Sequence, residues 1–400
     1  WSIARLSASI CVSPGPPTKP RPPLCLSKCV QARTSRDRWY VSAAISTCST
    51  PSLVTALSEK ISKIKAETTK AVSISFEVPI NLKSDFSFKS GQYVTLRSKI
   101  NGELTSRSYS ICSSPQSGLL TVAIKCVEGG VFSNYANEAL REGDHVEVSA
   151  PEGRFVFEND NSKKIFFGVA AGSGITPILS IIKDSLESND ESKFILLYAN
   201  KSVGDTMFHL EIEDFKSDYN SRFFCYNIYS RENNINSEYG RVDSGFINYC
   251  LKQHSELNFD KFFICGPEEL TKLISEELSK LGFEKNKISY ELFISKSDSK
   301  IESNLSEGNS KAKITCDYED FEITIPKNMT ILDAALNQKI DVPYSCQGGV
   351  CSSCIGKITS GSGKMLENNI LTESEIEDGL VLACQTIPTS ETISIDFDDV

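Results

Sequence analysis

Apolar and polar residues alternate through Ala71-Val72-Ser73-Ile74-Ser75-Phe76-Glu77-Val78, the pattern of a strand with one face buried. Tyr93–Leu96, Leu119–Ile124 and His145–Val148 repeat it, with Gly91, Asn101-Gly102, Gly118, Gly143 and Pro151-Glu152-Gly153 between them. Short strands separated by turn residues predict an antiparallel barrel over 56–160. The pattern then changes. Lys164–Ala171 is almost continuously apolar, as in a strand buried on both faces, and it runs through a glycine turn into the helical spacing of Ile178–Ile182. Phe194–Ala199, a helical stretch near Met207–Phe215, Arg222–Tyr229 and Lys261–Ile264 continue the alternation of strand and helix. A parallel sheet over 161–295 follows, with ligands expected at the carboxyl ends of its strands. Residues 296–310 are polar and read as a flexible linker. Over 311–400, Lys313–Cys316 and Phe321–Ile325 suggest a hairpin, Thr330–Leu336 a helix and Ile393–Asp396 a last strand.

Residues 1–55 break with the rest of the chain. They are rich in Ser, Pro and Arg and nearly free of acids. An organelle transit peptide has this composition, but the prolines between Pro16 and Pro23 would break a targeting helix, and the first residue is Trp. A transit peptide and an artefact of gene assembly both stay open; the protein is expected in the cytoplasm, or in an organelle if the leader is genuine. The net charge of −10 speaks against nucleic-acid binding. No apolar run reaches the roughly 18 residues of a membrane span, so no membrane partner is expected. Charge concentrates at the end: residues 311–400 hold 6 Lys and 15 Asp+Glu, a net −9.

Chemistry enters with the cysteines. Cys346, Cys351, Cys354 and Cys384 are spaced C-x4-C-x2-C and then 29 residues to the last, with Gly348-Gly349 between the first two. Four thiolates are what a two-iron, two-sulfide cluster needs, and this is the plant-type spacing. C-x2-C alone also suits zinc, but the four-residue first gap and the glycine pair favour the cluster. On the barrel, Arg107-Ser108-Tyr109-Ser110 offers a guanidinium for a pyrophosphate, a ring to pack on a flat isoalloxazine and a hydroxyl for its polar edge. Lys125, then Gly129-Gly130 before Phe132 and Ser133, places free N–H groups at a helix start, a seat for phosphate. Gly172-Ser173-Gly174-Ile175-Thr176-Pro177 lies between strand and helix, the setting in which G-x-G carries meaning. It lacks the third glycine of the dehydrogenase fingerprint. Cys265-Gly266 and Ser230-Arg231 each end a strand, and Glu291 and Phe293 close the second unit.

These motifs, in this order, resemble the ferredoxin–NADP reductase superfamily, followed by a plant-type ferredoxin domain. Gly91-Gln92-Tyr93 also fits that pattern. The resemblance implies an antiparallel Greek-key β-barrel for FAD, an α/β parallel-sheet nucleotide domain and a β-grasp ferredoxin domain. It implies that Arg107, Tyr109, Ser110, Lys125, Gly130, Phe132 and Ser133 face FAD, and that Gly172, Gly174, Thr176, Pro177 and Gly266 line the nucleotide. Cys265 then lies beside the nicotinamide, acting with Tyr109 and Ser110, while Glu291 and Phe293 close near the flavin. Ser230-Arg231 suits the 2′-phosphate of NADPH; Glu232 beside it leaves NADH open. The unit order resembles oxygenase reductases, nearest to the phenylacetyl-CoA epoxidase reductase family. The implied route is NADPH to FAD to [2Fe-2S] to an oxygenase component. A general NAD(P)H–acceptor reductase is the alternative, and a non-catalytic electron carrier is a third reading that the intact nucleotide motifs disfavour.

Overall fold

A computed structural model of the chain describes residues 57–292, 308–316, 318–340, 342–344 and 347–400. The expected leader, Phe293, Cys346 and most of the expected linker fall outside these residues.

The first unit is built from β1 (Leu57–Thr68), β2 (Ala71–Glu77), β3 (Tyr93–Ile100), β4 (Glu103–Ser110), β5 (Leu120–Lys125), α1 (Val131–Glu138) and β6 (His145–Val148). The strands pair antiparallel in the order β4-β3-β6-β1-β2-β5, and a bridge from Ile111 to Val122 joins the end of β4 to β5, closing the barrel. After α1, β6 returns to lie between β1 and β3, which gives the Greek-key crossing. Ile61, Ile74, Leu96, Val122, Ile124 and Val148 fill the interior, which is why the sequence alternates. β1 escapes that pattern. Its pairing with β2 shifts register between Ile61 and Lys63 and again between Ala66 and Thr68, and each irregularity moves the inward positions off a period of two.

The second unit carries β7 (Ile165–Ala171), α2 (Ile175–Ser188), β8 (Lys193–Asn200), α3 (His209–Asp218), β9 (Phe223–Tyr229), β10 (Glu238–Tyr239), α4 (Ser244–Gln253), β11 (Lys261–Gly266), α5 (Glu268–Lys280) and β12 (Ile288–Leu292). All its strands are parallel, in the order β10-β9-β8-β7-β11-β12. The order reverses between β7 and β11, so the crevice at their carboxyl ends is the place for a ligand. Barrel and sheet share a core. Phe155 and Phe157 leave the barrel and pack edge-on against Phe263 and Phe166, with ring centroids 5.6 and 5.2 Å apart. Gly91 makes this passage fit, because a Cβ there would stand 2.1 Å from the Phe155 carbonyl oxygen.

The third unit holds β13 (Ser310–Cys316), β14 (Glu319–Ile325), α6 (Ile331–Asn337), β15 (Ile355–Ser360), β16 (Gly363–Met365), α7 (Glu373–Glu377), β17 (Leu380–Leu382), β18 (Thr386–Pro388) and β19 (Thr392–Asp396). Its main sheet runs β14-β13-β19-β15-β17, with β13 and β19 parallel and the other pairs antiparallel. α6, capped by the Thr330 hydroxyl, packs Ile331, Leu332, Ala334 and Ala335 into its core. This is the β-grasp arrangement. Ser310, polar enough to read as linker, opens β13 instead and donates its hydroxyl to the Ser390 carbonyl at 2.7 Å. Among the described residues, no helix is long and apolar enough to cross a membrane.

Candidate functional site

The end of β4 presents Arg107 exposed, Tyr109 half-buried and Ser110 buried. Strand alternation accounts for this, since the side chains of residues 107 and 109 share one face and that of 110 takes the other. The Tyr109 ring lies 5.7 Å from that of Phe132, which α1 holds in the barrel core. Burial pushes the Tyr109 phenol up and the Arg107 charge partly opposes it. Arg107 donates to the Ser106 carbonyl at 2.6 Å. Gly130 is the N-cap of α1 and supplies no side-chain cap, so backbone N–H groups of the first turn stay available to a ligand. The Ser133 hydroxyl is used differently: it accepts from the Val127 N–H at 3.2 Å and closes the loop. Lys125, at the end of β5, brings its ammonium to 3.7 Å from where a Cβ on Gly172 would stand. Burial lowers its proton affinity and Asp205 opposes that. The end of β5 and the glycine loop of the sheet therefore meet.

Beyond β7, Gly172–Gly174 forms a single 3-10 turn that leads into α2. Thr176 donates to the Ser173 carbonyl at 3.0 Å, and Pro177 sits in the first helical turn, where its missing N–H costs nothing. Gly174 packs backbone to backbone on β11, since a Cβ would come within 2.2 Å of the Cys265 carbonyl oxygen. Cys265 is fully buried and pairs in register with Ala170 on one side and Glu291 on the other; Gly266 follows it. Burial pushes the Cys265 thiol up, and the Glu291 charge adds to this. Glu291 is itself pushed up to about 8 by burial, while Ser110 donates a hydrogen bond to its Oε2 at 3.3 Å and lowers it. Ser110, Cys265 and Glu291, distant in sequence, come together where barrel and sheet join.

At the end of β9, the Ser230 and Arg231 N–H groups bond the Asn200 and Lys201 carbonyls at 3.0 and 2.9 Å. Arg231 is exposed and makes no ion pair among the described residues. The Glu232 carboxylate accepts from the Val203 N–H at 2.9 Å, so it braces the neighbouring turn.

In the third unit Cys351, Cys354 and Cys384 are buried together. A hydrogen bond with Cys384 raises the Cys354 thiol, and burial and the Cys351 sulfur add to that. Cys384 is placed by the chain around it: the neighbouring Ala383 N–H bonds the Cys354 carbonyl at 2.9 Å, and the Gln385 side chain donates to the Gln347 carbonyl at 3.1 Å. A cavity of 160 Å³ lies beside this loop where it meets the other two units, lined by Tyr93, Arg154, Glu291, Cys351 and Ser352 among others. That the cluster loop faces Glu291 has no signal in the sequence.

Three family models match in chain order: an oxidoreductase FAD-binding domain over residues 59–157, an oxidoreductase NAD-binding domain over 169–276 and a 2Fe-2S iron-sulfur cluster binding domain over 314–389. The chain is 36% identical over 351 residues to a component of the 1,2-phenylacetyl-CoA epoxidase of Escherichia coli (strain K12), covering 84% of this chain and 96% of that one. It belongs to the oxygenase reductases of the ferredoxin–NADP reductase superfamily. The ferredoxin reductase component of 3-ketosteroid-9-alpha-monooxygenase from Rhodococcus rhodochrous is 28% identical over 350 residues, 84% of this chain and 95% of that one. Among solved structures, phthalate dioxygenase reductase shares the fold with a TM-score of 0.55 at 21% identity, covering 86% of this chain and 98% of that one. An oxygenase reductase of this kind takes FAD, a pyridine nucleotide and a [2Fe-2S] cluster.

The residues present fit all three groups. Cys351, Cys354 and Cys384 are three buried thiols, with Cys354 hydrogen-bonded to Cys384, and thiols are the donor type that an iron–sulfur cluster takes. At Gly174 the glycine loop lies against β11 so closely that any side chain would clash with it, and the loop's position between strand and helix suits a nucleotide. The uncapped start of α1 beside a half-buried tyrosine suits a phosphate joined to a flat ring. As an oxygenase reductase, the chain moves electrons from NAD(P)H through FAD to the cluster.

Proposed function

We propose that this chain is the NADPH-dependent reductase component of a multicomponent oxygenase of the phenylacetyl-CoA epoxidase type. The observation that carries the reading is the 36% identity to the epoxidase component along 96% of that component's length. When bound, the flavin takes electrons in pairs and gives them up singly, which suits a one-electron cluster. The chain's residues align the partners. Tyr109 backs the flavin ring and Arg107 meets its pyrophosphate, together with Lys125 and the start of α1 at Gly130, Phe132 and Ser133. Gly172, Gly174, Thr176, Pro177 and Gly266 let the nucleotide approach, and Cys265 sets the depth of the nicotinamide. Ser110 and Glu291 hold a proton at the junction through their shared hydrogen bond. Cys351, Cys354 and Cys384 hold the cluster, with Cys346 as the fourth ligand and Phe293 at the flavin's edge.

NADPH is favoured by what happens at the end of β9. The Glu232 carboxylate is tied to the Val203 N–H, which leaves Arg231 the exposed charge for a 2′-phosphate. Arg231→Ala is expected to raise the KM for NADPH by about 10- to 100-fold and to leave that for NADH unchanged. Equal effects on both nucleotides would overturn the preference. Reconstitution with a phenylacetyl-CoA epoxidase oxygenase component tests the acceptor: NADPH oxidation is expected to couple to product formation, and uncoupled oxidation would favour a general reductase. Cys112, Cys126, Cys225 and Cys250 form no disulfide, which supports a reducing, cytoplasmic compartment.

A further inference from the structure

We propose that Tyr93, Glu152 and Ser353 form a dock that seats the cluster loop on the flavin barrel and thereby sets the rate of electron transfer between the two centres. The dock rests on the reading above, which places the flavin at Tyr109 and Ser110 and the cluster on Cys351, Cys354 and Cys384. Ser353 stands between two of those cysteines and is not a ligand. Its hydroxyl donates to Glu152 Oε2 at 2.9 Å and lies 2.9 Å from the Tyr93 phenol. The phenol also reaches the same carboxylate oxygen, at 3.3 Å. Tyr93 and Glu152 are held rigidly to each other, because their backbones exchange N–H···O bonds of 2.9 and 2.8 Å.

The link to the flavin side is direct. Tyr93 pairs across the ladder with Ser110, whose hydroxyl reaches Glu291. A chain of contacts therefore runs from the junction of barrel and sheet, through β3, to the residue between two cluster ligands. A second contact fixes the angle of approach: Arg154 meets Glu375, on α7 of the third unit, at 2.8 Å. Hydroxyl–carboxylate bonds and a partly exposed ion pair are individually modest, so their value lies in orientation. Electron transfer between two centres falls exponentially with their separation, so letting the loop drift away from the barrel slows it. With both groups bound, the dock would hold the loop of Cys351 and Cys354 where the cluster could take one electron at a time from a flavin reduced by NAD(P)H, two such transfers and release of one proton to solvent restoring the oxidised flavin.

The experiment uses the full chain with both centres loaded, as wild type, Tyr93→Phe, Ser353→Ala and the double variant. Stopped-flow absorbance separates flavin reduction by NADPH from the later reduction of the cluster, and hydrogen exchange follows the amides of 347–354. Each single variant is expected to reduce its flavin within about 2-fold of the wild-type rate and to pass electrons to the cluster roughly 10- to 100-fold more slowly. Exchange in the loop is expected to rise, less in Tyr93→Phe, which leaves the Ser353–Glu152 bond, than in Ser353→Ala, and the double variant is expected to be no faster than Ser353→Ala. Should Ser353→Ala lose its cluster absorption, Tyr93→Phe decides, because that change lies on the barrel. Wild-type transfer and exchange in a fully loaded Tyr93→Phe would overturn the dock. Wild-type protein lacking a flavin band or cluster absorption would overturn the placement of the centres beneath it.

Discussion

A methyl group on Gly174 would sit 2.2 Å from the Cys265 carbonyl oxygen, and neither backbone can yield without parting β7 from β11. Gly174→Ala is therefore expected to cost about 1–3 kcal/mol in chemical denaturation and to raise the KM for the nucleotide. Unchanged values would show that the loop relaxes. Glu291 answers to pH. Its folded-state value, pushed up to about 8, lies above the ordinary carboxyl value of 4.5. The stability tied to its proton is thus fully present below pH 4.5 and is lost as pH rises through about 8. Thermal melts from about pH 5 to about pH 8 are expected to show wild type losing several degrees relative to Glu291→Gln. Parallel curves would mean that the carboxylate finds a partner. At this scale the sequence named the candidates but not their company. Ser110 and Glu291 are 181 residues apart, and their hydrogen bond depends on two domains meeting.

Elements were legible where one face is buried and the ladder is regular. β2 and β5 alternate because their inward residues share one barrel interior, and β7 reads as continuously apolar because both its faces are covered. β1 was hidden by its two register shifts. α4 gives a weak signal for another reason: it fully buries only Ile247 and Cys250. The cluster loop lies at the other extreme, since its chemistry is written in spacing alone. Cys384→Ser is expected to remove most of the cluster absorption and transfer to the oxygenase, while ferricyanide reduction by the flavin stays within about 2-fold. Cluster absorption at the wild-type level would refute Cys384 as a ligand.

At the scale of the whole molecule, charge and docking pull on the same domain. The net −9 of residues 311–400 includes exposed Glu319, Asp320, Glu322, Glu373 and Glu377, and such a surface steers toward a basic partner. Acceptor reduction is expected to slow about tenfold from low to high salt while flavin reduction by NAD(P)H changes little; salt-independent transfer would exclude electrostatic docking. The same domain meets the barrel through Ser353 and Glu375, so its surface serves two faces. Sequence alone determined the three units, their order and their cofactor classes. Local spacing carries these, because a C-x4-C-x2-C loop, a strand–glycine–helix turn and a period of two each express chemistry within a short stretch of chain. Tertiary structure alone decided that Glu232 is braced by Val203, that Glu291 packs half-buried beside Ser110 and Cys265, and that Tyr93 of the glycine–glutamine–tyrosine motif touches the cluster loop. Each of these depends on surfaces that meet only after the chain has closed on itself, and no short window of residues encodes that meeting.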